Sequence, residues 1–156
     1  MRRRVIAFAG LVTLAVLALT GCGLWGSDGS AEPGCPQAKM AVGSTPGAAI
    51  AALRDDGATA TVKPGETINL AGSGFDASCG RKGAGDGPLK GIRLFVVQGD
   101  QRVSVAQVDA TGSDRSLQVA FGVPPQVKAG SAKIVAQIGV EPDRTPLAST
   151  EVNISS

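Results

Sequence analysis

The chemistry open to this chain is set by three thiols and thirteen carboxylates, with no histidine and no tyrosine among its 156 residues. Without an imidazole, Ser-His-Asp and Cys-His nucleophilic sites are excluded, as is any zinc site that needs histidine. No serine is followed three residues on by lysine, which removes the Ser-x-x-Lys acylation pattern. Paired carboxylates are the one hydrolytic arrangement left, and they require a cleft that holds a sugar. Two short acidic groups stand in turn-like stretches: Asp55-Asp56-Gly57, and Asp109 with Asp114. Neither has the spacing of an EF-hand, and the turn-forming habit of aspartate accounts for both, so no metal site is expected. Gly83-Ala84-Gly85-Asp86-Gly87-Pro88 lacks the closing Lys-Ser/Thr and the following helix of a nucleotide loop, and reads as a flexible connection. No cofactor is implied.

The first thiol, Cys22, closes an apolar stretch. Arg2, Arg3 and Arg4 precede residues 5–19, which only Gly10 and Thr13 interrupt. That run is shorter than the roughly 20 residues of a membrane-spanning helix, so a cleaved signal peptide is expected over 1–21. Leu19-Thr20-Gly21-Cys22 resembles the lipobox of bacterial lipoproteins. The resemblance implies that Cys22 receives a diacylglyceryl thioether, becomes the mature N-terminus, and holds the protein on the extracytoplasmic side of the cell membrane. An ordinary secretory signal ending beside a chance cysteine is the competing reading. With the three arginines in the leader, twelve of the fifteen basic residues remain against thirteen acidic ones. That balance gives no basic face for nucleic acid.

With Cys22 assigned to lipid, Cys35 and Cys79 remain. Outside the cytoplasm an even remainder reads as one disulfide, with two free thiols as the alternative. A bridge closing about 45 residues stabilises a fold by roughly 4 kcal/mol in the chain-entropy treatment.

The elements that would position these groups follow in order. Residues 22–34 are rich in Gly and Ser and read as a lipidated flexible tether. Trp25 within it either sits at the membrane interface or is simply exposed. A first strand is expected over 38–42, a turn at Ser44-Thr45-Pro46-Gly47, and one helical turn or an irregular edge over 48–53. From residue 58 the apolar period becomes two. Ile68 and Leu70 face inward before Gly72-Ser73-Gly74-Phe75 breaks the strand. A long loop, 76–91, follows. Ile92, Leu94 and Val96 share one face of the next strand, and Phe95 and Val97 share the other. Gly99-Asp100 is a tight hairpin turn. The apolar phase then slips between Val105 and Ala106, which predicts a β-bulge. Leu117, Val119, Phe121 and Val123 alternate up to the stop at Pro124-Pro125. Ile134, Ala136, Ile138 and Val140 are expected to point inward from one strand, and Ala148, Thr150, Val152 and Ile154 from the last. The expected fold is all-β, an antiparallel β-sandwich of about seven strands over residues 35–156.

Val62-Lys63-Pro64-Gly65 and Ile68-Asn69-Leu70-Ala71-Gly72-Ser73-Gly74-Phe75 resemble the opening of bacterial immunoglobulin-like domains of the IPT/TIG kind. Val123-Pro124-Pro125, Ala129-Gly130 and the alternation over 132–136 resemble their later half. The resemblance spans roughly 58–156 and implies an immunoglobulin-like sandwich. Such domains share no catalytic residues, so no site residue follows from it. The chain departs from antibody-type domains, because no Trp lies between two core strands and Cys35 and Cys79 flank the same early strand. The disulfide is therefore expected to staple the N-terminal segment to the long loop.

The functional expectation is a non-catalytic envelope lipoprotein whose domain binds a protein or glycan, or acts as a spacer. A small carboxylate-dependent hydrolase is the first alternative, but few aromatics are present to stack a sugar. A ligand or ion carrier is the second, set back by the absent histidine and the scarcity of methionine. The candidate partner-binding loop is 76–91, with Arg81, Lys82 and Lys90 as its cations, and a mere solvated connector is its competing reading.

Overall fold

A computed structural model of the chain describes residues 38–55, 59–79, 85–140 and 145–156. The leader, the tether, Cys22, Cys35, Arg81 and Lys82 lie outside the described residues. Within them the order is β1 (Lys39–Gly43), α1 (Pro46–Arg54), β2 (Ala60–Val62), β3 (Thr67–Ser73), a single 3-10 turn (Ala77–Cys79), β4 (Ile92–Gln98), β5 (Gln101–Val108), β6 (Leu117–Gly122), β7 (Gly130–Ile138) and β8 (Ala148–Ile154).

Two sheets result. One has the order β1-β3-β6, the other β2-β8-β7-β4-β5. One apolar cluster draws Ile68, Leu70, Leu117 and Phe121 from the first sheet and Ile92, Leu94, Ile134 and Val152 from the second. The period-two residues are those that meet there, because alternate side chains of a strand share a face. Phe75, fully buried, plugs the space beyond the end of β3.

The slip between Val105 and Ala106 is a bulge. Leu94 pairs with Ala106 but Phe95 pairs with Ser104, which leaves Val105 as the extra residue. The Gly99-Asp100 turn joins β4 to β5, with Gly99 at φ 57.

Four expectations are corrected. Residues 48–53 belong to a nine-residue helix. Its start is specified by Thr45, whose Oγ1 accepts from the Ala48 N–H at 3.2 Å, and by Pro46 in the first turn. Tertiary packing on β1 and β3 supplies what so short a helix lacks alone. Gly43 permits that packing, since a Cβ there would collide with the Ala49 nitrogen. Second, β3 does not break at Gly72 but runs to Ser73. A Cβ on Gly72 would meet the Phe75 ring at 2.8 Å, so the glycine makes room for that ring, and the chain turns at Gly74 instead, at φ 77. Third, the fold is not wholly antiparallel, and eight strands are described where about seven are expected: β2 lies parallel to β8, with Ala60 opposite Val152. Fourth, Val140 does not point inward. β7 ends at Ile138, Gly139 turns at φ 83, and Val140 is 55 % exposed.

The outer face of the larger sheet carries a stack of Arg102 on Phe95. Phe95 points away from the core, and the Arg102 guanidinium lies over its ring, 3.9 Å from the centroid. An Arg102 Nη donates to Gln137 Oε1 at 2.6 Å, and Gln137 is wholly buried.

Candidate functional site

The long loop leaves the sandwich through a pinned neck. Gly74 turns the chain, and the Phe75 N–H donates to the Arg115 carbonyl at 3.1 Å while its carbonyl accepts from the Leu89 N–H at 2.9 Å. Asp76 and Pro88 then form an isolated antiparallel bridge, and the Ala77 N–H donates to the Gly87 carbonyl at 2.8 Å. The loop is thus closed at its base by main chain, and only its outer part, which contains Arg81 and Lys82, lies outside the described residues. On the far side the Ala110 N–H donates to the Leu89 carbonyl at 2.8 Å.

Each root of the loop is held by one aspartate, Asp76 within it and Asp109 just beyond β5. Asp76 Oδ1 accepts from the Ser78 N–H at 2.8 Å and from the Ser78 hydroxyl at 2.7 Å, an Asx turn that starts the 3-10 segment. Its Oδ2 pairs with Arg115 at 2.6 Å. The Ser78 hydrogen bonds foremost, with Arg115 beside them, hold the Asp76 carboxyl below the usual carboxylate range. Asp109 Oδ1 accepts from the Gly91 N–H at 2.8 Å, and Oδ2 pairs with Lys90 at 3.5 Å. The Gly91 hydrogen bond first, and the Lys90 charge second, lower the Asp109 carboxyl as well.

Of the three expected cations, Lys90 is placed, exposed and against Asp109. Arg115 is the cation that sequence reasoning passed over. It sits in a polar turn closed by the pairing of Thr111 with Ser116, and its backbone is left-handed at φ 52. No local pattern announces its pairing with Asp76, because the two meet only when the β3 end and the turn before β6 converge.

Both carboxylates are engaged by hydrogen bonds and cations, and both cations are paired. A general acid needs a raised carboxyl, and both aspartates move the other way. Asp114 lies within the turn that holds Arg115, while Asp109 serves Gly91 and Lys90, so the expected acidic pair divides between two structural tasks. Asp55 is the C-cap of α1, its N–H donating to the Ala52 carbonyl at 3.2 Å. Among the described residues no three His, Cys, Asp or Glu side chains gather to hold a metal, and no helix is long and apolar enough to cross a membrane. Cys79 is half-buried and in disulfide form. The loop end can therefore offer ionic and hydrogen-bonding contacts to a partner.

The chain matches no known protein-family model, and no curated protein matches it.

Proposed function

We propose that this chain is a non-catalytic binding or spacer module of the cell envelope, held outside the cytoplasmic membrane by a lipid on Cys22. The observation that carries the reading is Leu19-Thr20-Gly21-Cys22 behind a basic start and an apolar run. A two-sheet β domain beyond a Gly- and Ser-rich tether is the arrangement such an anchor would display. The partner is an envelope protein or a glycan, and the Asp76–Lys90 loop end is the first place to look for it.

The domain itself is immunoglobulin-like in this reading. The strand order supports it: β1-β3-β6 faces β2-β8-β7-β4-β5, so the first two strands divide between the sheets, and the chain changes sheet at every step except β4 to β5 and β7 to β8. Cys35 is the proposed partner of Cys79, which would tie the N-terminal segment to the root of the long loop.

The test is fractionation of cells carrying Cys22→Ser. The variant should leave the detergent-extracted membrane fraction for the medium, or persist as uncleaved precursor. A processed variant that stays membrane-bound rules the anchor out.

A further inference from the structure

β6 is the terminal strand of its sheet and is bonded only to β3. In an antiparallel ladder the main-chain groups of successive residues alternate between the two sides of the strand. Two bonds fix the alternation here. The Val123 N–H donates to the Glu66 carbonyl at 2.8 Å, on the β3 side, and the Ser116 N–H donates to the Thr111 carbonyl at 3.0 Å, on the outer side. Counting by twos from either end puts the N–H and C=O groups of Gln118, Ala120 and Gly122 on the outer side. All three residues are exposed, and among the described residues nothing pairs with them there. Gly122 has no side chain, so its exposure is that of the main chain itself. β5 comes near β6 but is bonded only to β4.

The open stretch has two defined ends. At one, Thr111 already fills the edge beside Ser116, with the return bond from its N–H to the Ser116 carbonyl at 2.7 Å. At the other, Pro124 has no N–H, and its carbonyl accepts from the Val127 N–H at 3.2 Å as the chain turns away. Gln118 to Gly122 is about 14 Å long, with Ala120 at its midpoint. No charged residue stands between Arg115 and Lys128, and the β3–β6 register runs without a shift. This edge therefore has neither the charges nor the bulge by which strand margins are ordinarily guarded.

We propose that β6 pairs edge to edge with β6 of a second copy of this chain, antiparallel, about a twofold axis at Ala120. The inference goes beyond the function proposed above and depends on neither the lipid anchor nor the loop end. The register names the occupant. With Ala120 opposite Ala120 and Gln118 opposite Gly122, every free N–H of one copy meets a free C=O of the other, as a self-complementary interface requires. A slip of two residues loses this match. In one direction it sets Gly122 against Ser116, whose groups Thr111 has taken; in the other it sets Gln118 against Pro124, which has no N–H. In the central register Pro124 falls beside Ser116 of the second copy, so each chain leaves the ladder where Thr111 begins. The side chains agree. On the outer face Ala120 meets Ala120 and Gln118 meets Gly122, all uncharged and mostly small. On the inner face Val119 is the half-buried member of the row Leu117, Val119, Phe121, and it falls opposite Phe121 of the second copy.

The test is cysteine crosslinking of the full-length protein in detergent, with the linked peptides identified by mass. Ala120→Cys should give a disulfide-linked dimer on mild oxidation, because residues opposite each other in a bonded pair stand about 5.5 Å apart. Gln118→Cys alone should not link to itself, whereas Gln118→Cys mixed with Gly122→Cys should, and Gly122 has room for the side chain. Ala120→Lys sets two like charges face to face at the axis, on an exposed position. It should raise the dissociation constant of the dimer in sedimentation tenfold or more, with the melting temperature nearly unchanged. Should that variant misfold, the crosslinks decide alone. A protein that stays monomeric up to about 1 mM and forms no Ala120→Cys link overturns the proposal. Equal dimer affinity for Ala120→Lys, or self-linking of Gln118→Cys as fast as that of Ala120→Cys, overturns it too. Slow amide exchange at Gln118, Ala120 and Gly122 in the monomer assigns the edge to another segment of the same chain, and overturns it likewise. Slowing only on addition of an envelope extract, without a dimer, assigns it to a different protein and rules out the second copy.

Discussion

The two margins of the five-stranded sheet are finished differently. At one, β5 runs for eight residues, carries the bulge at Val105, and folds Arg102 back over Phe95. At the other, β2 is three residues long and lies parallel to Val152–Ile154 of β8. A bare strand edge is a template for pairing with any other chain, and bulges and charged side chains are the usual means of spoiling it. β5 has both. The β8 margin carries an exposed charge at Glu151 and is flanked by β1 and α1. One margin is thus spoiled within its own strand, and the other is finished by a short parallel strand and its neighbours.

The largest effect expected from breaking this contrast is at Arg102. Arg102→Ala removes a cation over an aromatic ring and a charged hydrogen bond to a wholly buried Gln137. The expected loss is about 2–4 kcal/mol in denaturant unfolding. Amide exchange should rise along Gln101–Val108 more than along Ala148–Ile154. A loss below about 0.5 kcal/mol would mean that the stack does not hold the β5 margin.

Gly43→Ala addresses the opposite margin. The new Cβ collides with the Ala49 backbone, so α1 must back away from β1, at a cost of about 1–3 kcal/mol. Exchange in Pro46–Arg54 should quicken while that in β5 stays as it was. Wild-type stability in this variant would show that α1 is not seated on β1 as described.

A smaller effect is expected from acid at the loop end, which lies at neither margin and serves as the internal control. Asp76 and Asp109 both sit below the ordinary value of about 3.9 in the folded chain. A carboxyl lowered by folding stabilises the fold above its unfolded value, and that contribution is lost as pH falls through the lower folded value. Stability should therefore be flat in these two groups at neutral pH and decline only below about pH 4. Asp76→Asn and Asp109→Asn should each flatten that acid limb in unfolding midpoints, and an unaltered limb in both would mean that neither carboxyl is lowered.

The smallest effect is reserved for Lys133→Ala. Its pairing with Glu151 is exposed on both sides and should be worth no more than about 1 kcal/mol. A larger loss would mean that the pair is less screened by solvent than its exposure indicates.

Much of this architecture was legible in the chain because period-two alternation is a direct record of which side of a strand is buried. Ile92, Leu94 and Val96 declared their face, Phe95 declared the opposite one, and the slip at Val105 declared the bulge. The helix was harder to read, since its alanines bury little and Ala49 alone is buried. Its evidence was in the capping threonine and the proline behind it. The parallel pairing of β2 with β8 joins distant parts of the chain, and three residues carry too little pattern to name a neighbour. Of the candidate loop, the cation Lys90 was legible and its counter-charge Asp109 was seen only as a turn residue. The Asp76–Arg115 pair was not legible at all, because it depends on two turns meeting at one end of the sheets.

The parallel β2–β8 pair also has a mechanical consequence. The chain enters β2 at the same end at which it enters β8, and β8 is the last strand before Ser156. A pull on the N-terminal side of β2 against the C-terminal side of β8 therefore draws the two strands past each other along their common axis. In that direction their hydrogen bonds share the load in shear and must fail together, whereas a hairpin pulled from its open end unzips one bond at a time. Three residues make a small clamp, but one oriented to resist traction along the strand axis.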